Sequence, residues 1–278
     1  MGKLDELFKT DSGEEGSELE ILEKVEDYAE VRDFETAVLE ARRLKKDVNL
    51  FVALRLVLWE ILRRVERGEE SPSRVIPLLT SIGLIVNNVK SPRYRAILLA
   101  DMSVIFYHLG DEFSGDLTLK SALNLAMNQD DVLTEIVRNL VERGLIDKAA
   151  GALRLVKDRE KIDSILVRIA ELFYKAGDHE RAKAVLKHIK NPFHKALALY
   201  YMAEHSTRQD PETAKELVNA ALLMAEKIND PNARFEVMLK IFDLKNAIEG
   251  KTVKLTDLLS RREPPGEGLR GPSPDPSS

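Results

Sequence analysis

Apolar residues recur along this chain at intervals of three and four, the spacing of one helix face, and not at the alternating spacing of a strand. Leu99, Met102, Ser103 and Phe106 make one such stripe. Leu133, Ile136, Val137 and Leu140 make a second, and Leu166, Ile169, Ala170 and Phe173 a third. Each stripe leads into a glycine at the same offset: Gly110, Gly144 and Gly177. The best strand candidate, the Val- and Ile-rich run 82–89, sits in a helix-sized segment bracketed by Pro77 and Pro92. The pattern predicts an all-α chain of roughly thirteen helices, each about 12 to 18 residues long.

The helix ends are marked as well. Ser71-Pro72, Ser91-Pro92, Asn191-Pro192, Asp210-Pro211 and Asp230-Pro231 each pair a capping side chain with proline. The short polar group accepts from the orphan amides of a first turn, and proline at the next position has no amide to leave unpaired. Ser17 with Glu20 reads as a capping box. Gly68, Gly110, Gly144, Gly177 and Gly250 stand where helices should stop.

The glycines 110, 144 and 177 are 34 and 33 residues apart, the length of a stacked helix-turn-helix repeat. After the turns, Ala149, Leu153 and Val156 match Ala182, Leu186 and Ile189. Gly115, Leu119 and Ala122 follow the same spacing, as do Ala37, Ala41 and Leu44, and Ala214, Val218 and Ala221. A small first residue lets the second helix of a hairpin approach the first closely. The hairpins read as 18–46, 50–89, 92–128, 131–157, 160–189 and 192–229, with a helix at 231–248 capping the last. In such an array each hairpin buries its core against its neighbours.

The run Phe173-Tyr174-Lys175-Ala176-Gly177-Asp178-His179-Glu180-Arg181-Ala182 resembles the central turn of a tetratricopeptide repeat. Ala170, Phe173, Gly177 and Ala182 fill that family's small, aromatic, turn and second-helix positions. The likeness covers residues 96–190, is looser over 18–46 and 192–229, and is poor over 50–90. It implies a right-handed α-solenoid of about six antiparallel hairpins over 17–250. Composition sets the ends apart. A polar, flexible segment is expected at 1–16, and 251–278 reads as a short amphipathic turn at Val253, Leu255, Leu258 and Leu259 followed by a disordered tail rich in Pro, Gly and Ser. The resemblance also implies that first helices line a concave groove. By offset, the groove residues are Val104, Tyr107 and His108; Arg138, Val141 and Glu142; Glu171, Tyr174 and Lys175; Glu204, Thr207 and Arg208. Mixed charge with Tyr107 and Tyr174 suits a protein or peptide partner. The paired Lys and Asn with which some of these proteins clamp a peptide terminus are not found.

Composition narrows the function. Hydrophobic residues make up 44% of the 278 and charged residues 32%, so many small amphipathic elements carry salted outer faces. Dense Lys, Glu and Arg without cysteine is also the habit of heat-adapted proteins. Net charge is −5, against the basic excess that nucleic-acid or membrane-surface binding needs. The absence of cysteine excludes disulfides and thiolate metal sites. No apolar leader or spanning run is found, and a cytoplasmic location is expected.

Chemistry is sparse. His108, His179, His188, His194 and His205 form no metal-ligand pair at helical spacing, and no nucleophile elbow or Walker loop occurs. Gly266-Glu267-Gly268-Leu269-Arg270-Gly271 matches the dinucleotide fingerprint, but prolines flank it where a strand and a helix are required. Trp59, with Leu56 and Leu62 three residues to either side, reads as core or inter-repeat packing. Glu180 with Lys183 and Glu212 with Lys215 read as surface ion pairs. The expectation is a scaffold without catalysis, cofactor or metal that holds a protein or peptide in its groove. The alternative is a regulatory subunit that docks on an enzyme through its ends, Leu4, Leu7 and Phe8 or 253–259. RNA binding ranks below both.

Overall fold

The computed structural model describes residues 14–250. The predicted docking segments at Leu4–Phe8 and 253–259, the tail and its glycine motif lie outside them. The helices are α1 (Glu14–Glu30), α2 (Phe34–Ala41), α3 (Asp47–Glu66), α4 (Pro72–Val86), α5 (Pro92–His108), α6 (Glu112–Ala126), α7 (Asp130–Glu142), α8 (Ile146–Leu153), α9 (Arg159–Lys175), α10 (His179–His188), α11 (Pro192–Ser206), α12 (Pro211–Ala225) and α13 (Pro231–Ile248). There is no strand among the described residues, and 82–86 is the end of α4. All five capping-residue/proline pairs open a helix, although Ser71 makes no side-chain cap bond. Two details differ from expectation. α1 begins at Glu14, so Ser17 lies inside it, and Pro77 is accommodated within α4.

All five predicted stop glycines adopt positive φ. The turns share one hydrogen-bond pattern. At Gly177 the Gly177 amide donates to Tyr174 O at 3.0 Å and the Asp178 amide to Phe173 O at 2.9 Å. The same pair of bonds closes α3 at Gly68, α5 at Gly110 and α7 at Gly144. α1 closes likewise, but at Arg32, a non-glycine residue with φ 68°. This is a left-handed helix ending with a six-to-one bond. Asp33, Asp111 and Asp178 then cap the following helix through the Thr36, Ser114 and Arg181 amides. A Cβ at Gly177 would meet nothing within 4 Å, so Gly177→Ala isolates the backbone cost. It should destabilise by about 1–2 kcal/mol, read as a lower urea midpoint at unchanged slope.

A second repeating device was not anticipated from the sequence. Glu18 accepts from the Lys45 and Lys46 amides, and Asp47 from those of Lys90 and Ser91. Asp130 accepts from Lys157 and Asp158, and Asp163 from Lys190 and Asn191. In each case a carboxylate in the first helix of one pair clamps two backbone amides at the entry to the first helix of the next. The clamps satisfy orphan donors at helix N-termini and place negative charge at the positive end of the dipole.

The chain divides into two compact units, the second beginning at Asp163 within α9. In the first unit α1 packs on α2 and α3, α3 on α5, α5 on α6 and α7, and α7 on α8. The principal neighbours of α3 are α1 and α5. Its buried residues Ala53, Leu54, Val57, Leu58, Ile61 and Leu62 cover more than one face. That double burial explains why 50–90 fits the repeat spacing poorly. In the second unit α11, α12 and α13 close around Ala203, Val218, Ala221, Val237 and Ile241. Tyr174, Ala182 and Met202 join α9, α10 and α11. The small residues permit close helix approach, as the spacing predicted.

Candidate functional site

Burial covers a broad arc of α3, and a half-buried strip borders it. Phe51, Arg55 and Trp59 lie along it at intervals of four, one above the other. Trp59 is 47% exposed, which corrects its reading as core packing. Of the two leucines behind that reading, Leu62 is buried and Leu56 only partly so. Trp59 sits at the edge of the packed face, not in its centre. Trp59, Phe51 and Leu56 line a cleft of about 620 Å³, with Glu26 and Glu30 of α1 on its wall and Glu66 and Arg143 also in its lining.

Arg55 is fixed from behind. Its Nε donates to Asp101 Oδ2 at 3.1 Å and its Nη1 pairs with Glu135 Oε1 at 2.8 Å. Asn139 Nδ2 donates to the other Asp101 oxygen at 2.7 Å. The guanidinium lies 4.6 Å from the Trp59 ring centroid and 5.5 Å from that of Phe51. Phe51 in turn stacks on Tyr94 at 4.5 Å. One polar cluster therefore joins α3, α5 and α7 and holds the exposed indole against a cation. A second cluster joins the C-terminal ends of the same helices, where Glu66 meets Arg143 at 3.1 Å and His108 at 3.8 Å.

Asp101 is 2% exposed. Burial pushes its carboxyl up to about 6, against the lowering effect of Arg55, while Glu135 adds to the rise. Between pH 4 and 6 the folded chain thus binds more protons at this site than the unfolded chain. Stability contributed here falls as pH rises through that window, by about 3 kcal/mol for a shift of this size. Urea unfolding of the wild type and Asp101→Asn between pH 4 and 7 should show that component in the wild type only.

The residues predicted to line a groove are only partly brought together. Val104 and Val141 are fully buried and do not line one. Tyr107 turns onto its own second helix, donating to Asp116 at 2.7 Å beneath Lys148, with Gly115 making room for the ring. His108 belongs to the Glu66 cluster. Arg138 and Glu142 are exposed, while α7 directs Glu135, Asn139 and Arg143 at α3 and α5. The expected register on α7 was off by about a third of a turn. In the second unit, Glu171 pairs with Arg168 at 2.8 Å and His205 at 3.3 Å. Glu204 and Arg208 are exposed, and Thr207 is half-buried.

Tyr174 and Lys175 do share a cleft, of about 810 Å³, with His205 and Ser206. Tyr174 is only 8% exposed, however, and its hydroxyl bonds that of Ser206 at 2.5 Å. It is a wall and not a contact surface. The α3 cleft has the exposed aromatic. The sequence did hold signals for it: the four-residue spacing of Phe51, Arg55 and Trp59, and Asp101 as a lone carboxylate in the apolar run from Ile97 to Phe106. The expected surface pairs Glu180–Lys183 and Glu212–Lys215 form at 3.4 and 2.7 Å. No described helix is long and apolar enough to cross a membrane. Comparison of the chain with protein-family models, with curated proteins and with solved structures finds no match.

Proposed function

We propose that this chain is a non-catalytic interaction scaffold, a tetratricopeptide-like α-solenoid that holds a segment of a partner protein in the cleft along α3. The observation that carries this reading is Trp59, half exposed beside Phe51 and Leu56 and fixed from behind by Arg55. A rigid aromatic in a preformed cleft is the kind of residue that dominates binding energy, because little of its motion is left to lose. The repeated turns and carboxylate clamps support the solenoid reading, since the turn recurs in five helix pairs and the clamp in four.

Charge defines the segment. Each arginine of the lining already has a carboxylate partner: Arg55 has Asp101 and Glu135, Arg63 has Glu60, and Arg143 has Glu66. Glu26 and Glu30 add further negative charge from α1. The complementary partner presents an apolar side chain to Trp59 with Lys or Arg beside it.

The test is the affinity of the partner recovered with the wild type. Trp59→Ala should weaken it about 30-fold or more, the size of a hot-spot loss. Phe113→Ala, at a residue 80% exposed on α6, should leave it unchanged. Equal affinity of the wild type and Trp59→Ala would refute the reading.

A further inference from the structure

The last described helix has a face that its place in the sequence does not explain. Val237 and Ile241 of α13 are fully buried in the α11–α12–α13 core. By their burial they match Ala198 and Met202 on α11, Ile165 and Ile169 on α9, Val132 and Ile136 on α7, and Leu98 and Met102 on α5. α13 runs one residue longer to its glycine: Gly250 follows Ile241 by nine residues, where Gly110, Gly144 and Gly177 follow Met102, Ile136 and Ile169 by eight. In those four helices the next residue is Ser103, Val137, Ala170 or Ala203, and each is wholly buried. Each of these helices is followed by a second helix, and Ala203 lies in one cluster with Val218 and Ala221 of α12. On α13 that place holds Phe242, which is 38% exposed, and Phe235 two turns earlier is 58% exposed. A terminal cap of a helical array needs a polar outer face. This one presents two phenylalanines.

We propose that residues 251–262 are the second helix of a seventh pair and dock on this face of α13, covering Phe235 and Phe242. Two observations name that occupant. First, Gly250 has φ 71° and donates its amide to Ala247 O, the first bond of the ending found at Arg32, Gly68, Gly110, Gly144 and Gly177. At all five of those positions the chain goes on into a second helix within four residues. Second, the register fits. At four of these five positions the fifth and ninth residues after the left-handed one are small or apolar: Ala37 and Ala41, Gly115 and Leu119, Ala149 and Leu153, and Ala182 and Leu186; after Gly68 they are Ser73 and Pro77. After Gly250 they are Leu255 and Leu259, one turn apart. Leucine opposite phenylalanine, where earlier pairs set small residues together, sets the two helices toward the wide end of the usual 8–10 Å separation. A shallow groove between α12 and α13, lined by Val218, Lys245 and Ile248 among others, runs beside Gly250 and receives the start of the segment.

Hydrogen–deuterium exchange on the full chain tests this. Amides of residues 255–260 should exchange at least tenfold more slowly than unstructured-chain rates. The protection should disappear in Phe242→Asp and in the double variant Leu255→Asp/Leu259→Asp, with α5 and α11 still protected in both. Unprotected 255–260 in the wild type would overturn the proposal, as would protection that survives Phe242→Asp. Protection that vanishes on dilution, as a dimer dissociates in sedimentation, would assign the face to a second copy and overturn it equally.

Discussion

Arg55→Ala should lower folding stability by about 3–5 kcal/mol at pH 7, the largest loss expected from a single substitution in the first unit. The arginine itself is not the source of that energy. Its two carboxylate partners are, because Asp101 is buried and Glu135 half-buried, and only Arg55 balances them. Removing the cation leaves Asp101 buried beside Glu135. It must then either stay charged without a cation beside it or take up a proton at pH 7, and both cost stability. The loss should shrink toward pH 5, since Asp101 takes up a proton more readily without Arg55 beside it. Replacing Asp101 and Glu135 together with apolar residues in the Arg55→Ala background should recover most of the stability. A cost that arises from an unpaired charge vanishes with the charge. Urea titrations of the wild type, Arg55→Ala and the triple variant at pH 5 and 7 measure all of this. If the loss at pH 5 is as large as at pH 7, Arg55 acts through packing against Trp59 and Phe51 instead.

Asp163→Ala should cost about 2–4 kcal/mol in the second unit. Asp163 is fully buried, and one oxygen accepts from the Lys190 and Asn191 amides at 2.9 and 2.7 Å. Alanine leaves both donors without their acceptor at the point where the chain enters α11. Asn191 cannot shift freely to find water, because its own side chain caps that helix through the Phe193 amide. Asp163→Asn keeps one oxygen acceptor for the two amides while replacing the charge and the second oxygen with an amide NH2. It should cost less than Asp163→Ala, about 1 kcal/mol. Asp47→Ala breaks the corresponding clamp where the carboxylate is half-buried and water reaches the loop, and should cost less than Asp163→Ala. Thermal unfolding gives the ranking. Amide exchange at 190–193 should rise selectively in Asp163→Ala.

Most of the secondary structure could be read from local chemistry. Proline after a capping residue, glycine at a left-handed position and a stripe of period 3.6 each act within a few residues, and they place the helix ends closely. Arg32 escaped because a left-handed ending was recognised by glycine, whereas here the backbone imposes φ 68° on an arginine. The clamps escaped for another reason. Asp130 and Asp163 look like ordinary acidic residues near helix starts, and their partners are backbone amides 27 and 28 residues away that carry no side-chain signature. The groove residues were shifted because a one-residue error on a helix turns the chosen face by a third of a turn. Arg138 and Glu142 stand one residue before Asn139 and Arg143, which with Glu135 meet α3 and α5. Trp59 was misplaced because leucines at three-residue spacing do not say how wide the buried face is. On α3 that face stops just short of it.

Photo-crosslinking from position 59 tests the central claim most directly. Trp59 replaced by p-benzoylphenylalanine keeps an aromatic ring at the cleft, and Phe113 replaced in the same way serves as the control. The account predicts that position 59 captures one protein through a single short segment containing an apolar residue next to Lys or Arg, and that position 113 does not. Capture of the same products from both positions, or of a segment rich in Asp and Glu at position 59, would contradict it.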